Sequence, residues 1–457
     1  MKHRKISISR RLRLAVAGLC ASLAAAGGAS AASLEQLFSF NNADGGFPAS
    51  GFIADSNGNL YGTALGGGQL NGACSAIYAQ YPGCGVVYKL TPPAKGQTAW
   101  AQSVLYAFQG GADGGNPSGN LVADGHGDLY GTAQFGGANG NGVVFKLTPP
   151  ASSTGQWTET VLYNFQGGPG DGATPSGDLL IDSAGALYGT TLAGGATNAS
   201  CTNYLQNYNL TLYVTIAGCG TVFKLTPGSG SQWTETVLYA FQGGADGGLP
   251  GTVLTKAPNG VLYGVAAIGG ANNQGVLFAL TPPTKAGQPW TQSVSFSFPG
   301  GAGGANPASG VTLGADGSFY GVAPSAGASL WGVAYKLTPP KSGSGPFTET
   351  VIYSFTGQND GGLPNGMLSF GSNGVLYGQT TLGDINNGGV LFQLAPPSAG
   401  TTWTLTSLYE FGWNQNLQPA LTAHNSVLVS PSGVLYGPAF MQGNVVDGLR
   451  YGGVFQY

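Results

Sequence analysis

The chain has 457 residues, with 82 Gly, 27 Pro and only 7% charged residues. Hydrophobic residues (42%) and aromatics (11%) are too frequent for a disordered chain, which would be charged and poor in both. So many glycines exclude long amphipathic helices and point to many short strands joined by turns.

Residues 1–32 read as a signal peptide. Lys2, Arg4, Lys5, Arg10, Arg11 and Arg13 precede an apolar stretch from Leu14 to Ala26, and Ala29-Ser30-Ala31 forms an A-x-A cleavage site. The stretch is too short to span a bilayer. Six of the 15 Lys and Arg lie there and none of the 18 Asp and Glu, which leaves the remainder at a net −9. That balance argues against nucleic acid as a partner. With no second long apolar stretch there is no expected membrane span. The reading is a secreted monomer, in the bacterial periplasm, at the cell surface or outside the cell.

From there on the chain repeats itself. Leu-Tyr-Gly or a close variant places a tyrosine at Tyr61, Tyr130, Tyr188, Tyr263, Tyr320, Tyr377 and Tyr436, a basic period of about 57 residues with two enlarged copies. Each copy holds four short β-rich segments between Gly, Asp, Asn and Pro clusters. In the second copy they are Gly119–Asp124, Asp128–Ala133, Gly142–Thr148 and Trp157–Phe165, predicted as strands a, b, c and d. Four strands per copy is the economy of a propeller blade. A lone d-type segment, residues 34–40, precedes the first a strand, and a c-type segment, Gly452–Tyr457, is the last. A ring accounts for both if the first d segment completes the last blade and so protects open sheet edges. The predicted fold is therefore all-β: residues 33–457 form a single seven-bladed β-propeller of four-stranded blades.

The segments Leu187–Gly195, Gly220–Pro227 and Thr236–Phe241 resemble the GloVer tandem-repeat family, whose pattern runs LYGTT-x-x-GG, G-x-VFKLTP and T-V-LY-x-F. The resemblance implies an exported bacterial repeat protein with a propeller-like fold.

In a propeller, d–a and b–c connections emerge on one face. From the b-strand Tyr to the c-strand aromatic, copies 2, 4, 5 and 6 span 15 residues, but copy 1 spans 27 (Tyr61 to Tyr88), copy 3 spans 35 (Tyr188 to Phe223) and copy 7 spans 19. Insertions, about 66–84 and 194–219, thus gather on one face, where binding loops on rigid scaffolds reside. They hold all four cysteines outside the signal. Pairing within each insertion, Cys74 with Cys84 and Cys201 with Cys219, is the simplest arrangement for an exported protein. Metal ligation by the thiols is a rival that no C-x-x-C pair or nearby His supports. Tyr78, Tyr81, Asn203, Tyr204, Asn207 and Tyr208 are the candidate ligand-binding residues, aromatics and amides suited to sugar or protein surfaces, unless they only pack their own loops.

Asp44, Asp113, Asp171, Asp246 and Asp360 recur in the d–a connections. They could bind Ca²⁺, although Asp-Gly is also ordinary turn chemistry and each site offers one carboxylate. No other cofactor is predicted. Lys146, Lys224 and Lys336 on strand c recur with Glu159, Glu235 and Glu349 on strand d, and pairing Val144 with Val161 would set Lys146 opposite Glu159 as a cross-strand pair. No P-loop, zincin or G-x-S-x-G motif occurs, and two isolated histidines, His126 and His424, do not make a triad. The expected function is a secreted binding or structural, adhesive module that meets an extracellular glycan or surface protein through the stapled loops. The alternative is an extracellular polysaccharide lyase, hydrolase or lactonase with its site at the mouth of the central channel, built on Asp44, Asp178 or Asp384.

Overall fold

The computed structural model describes residues 33–457 apart from 49, 71–73, 75–81, 153–154, 208–217, 230–231, 252, 286, 342, 344, 384–386, 413–425, 440–444 and 447–448. Among these residues the chain forms seven antiparallel sheets that are the blades of a β-propeller, a separate two-stranded ribbon (Val445–Val446 with Leu449–Arg450), and almost no helix. Among the described residues no helix is long and apolar enough to cross a membrane. In blade 2, strand b is Leu129–Phe135, strand c Val143–Thr148 and strand d Thr158–Asn164. Strand d of blade 7 is Glu35–Ser39, which pairs with Gly453–Gln456 at the other end of the chain and closes the ring.

Strand a departs from its predicted span. It begins earlier, at Gly115–Pro117, breaks, and resumes only at Val122–Ala123. The break follows a strained point. In six blades the residue before the strand-a proline has left-handed φ: Phe47 (59°), Asn116 (56°), Thr174 (55°), Leu249 (59°), Asn306 (54°) and Leu363 (51°). Residues before proline ordinarily stay extended, so the surroundings must hold each one there. Between the two pieces of strand a the chain lies close to its neighbours. Thr63 and Thr132 hydroxyls of strand b donate to the carbonyls of Gly119 and Gly177 one blade on. A second series runs from strand a itself, where Thr255, Thr312 and Ser369 donate to the carbonyls of Val311, Leu368 and Val427.

The register of strands c and d also departs from expectation. A bulge between Val144 and Phe145 sets Val144 opposite Tyr163 and Phe145 opposite Val161, so Lys146 faces Thr160 and Glu159 faces Leu147. The same bulge recurs at Val87/Tyr88, Val222/Phe223, Leu277/Phe278, Ala334/Tyr335 and Leu391/Phe392. The extra d residue, Leu162 or Leu238 or Ile352, is buried. A bulge turns consecutive residues to new directions, and here it lets the Leu-Tyr pair of strand d serve two surfaces. The expected Lys146–Glu159 pair does not exist.

The blades are joined by a ring of edge-to-face or tilted aromatic pairs. The last Phe of each d segment reaches the c-strand aromatic of the next blade: Phe40–Tyr88 (5.0 Å), Phe108–Phe145 (5.1 Å), Phe165–Phe223 (5.1 Å), Phe241–Phe278 (5.0 Å), Phe298–Tyr335 (5.0 Å), Phe355–Phe392 (5.2 Å) and Phe411–Phe455 (5.4 Å). Such pairs contribute about 0.5–1.5 kcal/mol each beyond area burial. The glycine of Leu-Tyr-Gly gives the c-strand ring its seat, since a Cβ on Gly131 or Gly189 would lie 2.6 or 2.5 Å from the ring of Phe145 or Phe223.

Two blades place Tyr where the others place Phe. The hydroxyls of Tyr88 and Tyr335 are fully buried and lack a hydrogen-bond partner, and burial drives both phenols far above their ordinary range. An unsatisfied buried hydroxyl costs about 1–3 kcal/mol. Tyr335→Phe and Tyr88→Phe should therefore each raise the unfolding free energy by about 1 kcal/mol, measured by urea denaturation. A loss of stability would show that the hydroxyls have a partner in solution.

Candidate functional site

The face that carries the d–a and b–c loops is built on a repeated joint. The left-handed residue before each strand-a proline donates its N–H to the carbonyl of a residue just before strand c of the preceding blade. Asn116 donates to Cys84 (2.7 Å), Thr174 to Asn141 (2.8 Å), Leu249 to Cys219 (2.7 Å), Asn306 to Gln274 (2.8 Å), Leu363 to Trp331 (2.9 Å) and Phe47 to Tyr451 (2.6 Å). The side chain of that acceptor residue fills a hollow left by glycines of the next d–a loop. Tyr451 covers Gly46, Asn141 covers Gly167, Gln274 covers Gly300, and Trp331 covers Gly357 and Gly362.

Both disulfides belong to this series. Cys74–Cys84 and Cys201–Cys219 form as expected, and all four cysteines are fully buried. The sulfurs of the first sit over Gly110 and Gly115, and those of the second over Gly243 and Gly248. Each disulfide therefore roots an insertion in the adjoining blade as well as closing a loop. In blade 3 the rooted segment carries the helix Ala199–Asn207, started by Asn198, whose side chain accepts the N–H of Ser200 (2.8 Å) and donates to the Gln242 carbonyl (2.9 Å). Between the two rooted insertions lies the short b–c loop of blade 2.

Of the candidate ligand-binding residues, Asn203 is exposed on that helix, and Tyr204 and Asn207 belong to the same helix. Tyr78, Tyr81 and Tyr208 lie outside the described residues, as do Asp384 and His424. The structure thus brings three of the six candidates onto one element.

The d–a aspartates each serve their own turn. Asp113 accepts the Tyr106 hydroxyl (3.1 Å) and the Gln109 N–H (2.9 Å), and Asp171 accepts Tyr163 (2.9 Å) and Gln166 (2.7 Å). Asp246 accepts Tyr239 and Gln242, and Asp360 accepts Tyr353 and Thr356. Burial and the Asp360 carboxylate push the Tyr353 phenol up to about 12. Asp44 accepts the Asn41 N–H (2.9 Å), and burial raises its pKa above the ordinary carboxylate value. Among the described residues no three of His, Cys, Asp and Glu converge as a metal-ligand group. Asp178 lies in the break of strand a, where it is buried and accepts the Asn120 N–H (2.7 Å), so it stands inside the ring and not among the loops.

The opposite face carries a constellation that sequence reasoning missed. In four blades the a–b turn carries an aspartate, Asp55, Asp124 and Asp182 at its start and Asp316 two residues in, whose carboxylate accepts the hydroxyl of the Leu-Tyr-Gly tyrosine at 3.0–3.1 Å. Burial alone would raise Asp55, but hydrogen bonds from Asn59, Asn57 and Tyr61 hold it below the usual range. The strand-c lysines turn to this face. Lys146 meets Asp128 (3.0 Å), Lys336 meets Asp316 (2.8 Å), and Lys224 and Lys336 lie 5.3 and 5.5 Å from the rings of Tyr188 and Tyr320. The recurring Asp six or four residues before the tyrosine was the available signal. These exposed or half-buried contacts are turn-stabilising, worth about 0–1 kcal/mol per ion pair.

A family model described as the Gloeobacter/Verrucomicrobia repeat matches residues 28–206, 74–288 and 206–455. No curated protein matches the sequence. Among solved structures the chain is similar to a candidate 6-phosphogluconolactonase from Bacteroides uniformis, 14% identical with a TM-score of 0.45, over 79% of this chain and 84% of that one. It is also similar to a candidate oxidoreductase (glucose dehydrogenase) from Thermus thermophilus, 15% identical with a TM-score of 0.39, over 74% and 95%. A Dyadobacter fermentans protein of unknown function is 11% identical with a TM-score of 0.39, over 81% and 96%.

Proposed function

Since the chain belongs to the Gloeobacter/Verrucomicrobia (GloVer) repeat family, we propose that it is an exported binding module that takes an extracellular glycan on the face of the two stapled insertions. One observation carries the reading: both long loops are anchored by fully buried disulfides in the glycines of the next blade. Anchoring of this kind lowers the ordering cost of binding, which a purely structural ring would not require of its longest loops. Tyrosines and amides in these segments suit the stacking and hydrogen bonding of sugars. Paired disulfides and the family together favour a location outside the cytoplasm.

The test preserves the joint and removes the loops. Residues 69–84 and 196–219 are each replaced by the Ala138–Asn141 segment of blade 2, whose Asn141 fills the corresponding hollow. The intact chain should bind members of a glycan panel, and the grafted chain should melt as a folded protein yet bind at least about tenfold more weakly. Equal binding by the graft overturns the reading. Binding to surface proteins alone would change the ligand class. Turnover of a polysaccharide or lactone, abolished by chelator or by Asp44→Asn, would establish the enzymatic alternative.

A further inference from the structure

The strand-d position that was expected to pair with lysine has another role. Around the ring it is Gln102, Glu159, Glu235, Gln292, Glu349, Leu405 and Leu34. In blades 1 and 4 the glutamine amide donates to the backbone carbonyl of the d–a aspartate, Gln102 to Asp44 (2.9 Å) and Gln292 to Asp246 (3.1 Å). In blade 5 the Glu349 carboxylate lies against Gly303, the residue at that same loop position, with Oε2 2.8 Å from where a Cβ would stand. Each of Glu159, Glu235 and Glu349 has a buried Oε1 without a hydrogen-bond partner. A carboxylate can only accept, so bonding to a loop carbonyl takes a donor, and a protonated carboxyl supplies one. It does so at the free lone pair even where, as at Asp171, the carbonyl already accepts the Gly195 N–H (2.8 Å).

We infer that Glu159, Glu235 and Glu349 are proton-operated latches: as neutral acids they hold the d–a loop carbonyls of Asp113, Asp171 and Gly303, and on ionisation they release those loops. The glutamines of blades 1 and 4 are the permanently closed form of the same latch. The groups that bear on each latch sharpen its response. Glu159 faces Asp113 and Tyr106, Glu235 faces Asp171 and Tyr163, and Glu349 faces Tyr335. Burial first, then the neighbouring aspartate in the first two cases, pushes all three carboxyls up to about 7. The loops concerned also carry the hollows that receive Cys74–Cys84, Asn141 and Gln274, so their release loosens the joints beneath the binding face.

The direction with pH follows from proton linkage. Between the ordinary value of 4.5 and about 7 the folded protein holds more protons than the unfolded chain. Stability therefore falls as pH rises through that window and levels off above it.

Five glutamates in the whole chain make the test direct. In protein labelled with ¹³C-glutamate, side-chain carboxyl resonances are followed from pH 3 to 9 and assigned by single Glu→Gln variants. The three latch resonances should titrate near 7, and amide protection at residues 110–115, 167–172 and 300–305 should fall at least tenfold between pH 5.5 and 8.5. In E159Q/E235Q/E349Q, which copies blades 1 and 4, protection should stay level. Midpoints below about 6, or parallel loss of protection in both proteins, overturn the inference.

Discussion

Phe40→Ala is expected to cost the protein about 3–5 kcal/mol of unfolding free energy, the scale of emptying a fully buried phenylalanine site. The residue stands just after the first strand, where terminal chains ordinarily fray. Here it is fully buried, in ring contact with Phe38 and Tyr88, and its N–H donates to the Gly452 carbonyl. It is thus the aromatic link between blades 7 and 1. Loss of Glu35–Phe40 altogether should be more severe, leaving Gly453–Gln456 with an open edge that invites association. Urea unfolding of the point variant and light scattering of the truncated protein measure the two effects. A synthetic peptide spanning residues 33–41 should restore monodisperse protein if the strand acts through pairing. A cost below about 1 kcal/mol for Phe40→Ala would mean that the ring is held without its closure.

The second large effect concerns the staples. Replacing Cys201 and Cys219 by Ser should destabilise the protein by about 3 kcal/mol from loop closure over their separation of 18 residues. A further loss comes from vacating the glycine hollow of blade 4, as expected for a small core cavity. The Cys201→Ser, Cys219→Asn protein should recover part of this second loss, because Asn141 fills the equivalent place in blade 2. Denaturation with and without reductant separates the two contributions. If the asparagine variant is no more stable than the serine one, the sulfurs act only as a tether.

Much of this was legible in the sequence, and what was not has a physical cause. The seven tyrosines, the loop spacing and the unpaired d segment sufficed for the number of blades, the closure and the disulfides. The c–d register was missed by one residue because a bulge has no compositional mark; it shows only as the Leu-Tyr pair of strand d, both of which find apolar or buried surroundings. Lys146 was accordingly assigned to Glu159 on strand d when its partner is Asp128, at the head of strand b on the other side of strand c. The first half of strand a was read as loop because Gly-x-Pro looks like a turn and the left-handed residue inside it varies from Phe to Asn to Thr to Leu. The joints were harder still. Their filling groups are a disulfide, an amide or an aromatic ring, and only the glycine that follows each one is shared. On the face of the d–a and b–c loops, the positions of Asn203 and the d–a aspartates could be placed from loop length alone, whereas the aspartates' tyrosine partners depend on the bulge.

The joint between blades has a consequence for how such a chain can change. Its receiving half presents one N–H and one hollow, while the inserted half has been built from cystine, asparagine, glutamine, tryptophan or tyrosine. A socket that accepts such different plugs makes the blade an interchangeable cartridge. A duplicated segment of about 57 residues can seat against a neighbour it has never met, and a loop can be lengthened, stapled or swapped in one blade without retuning the next.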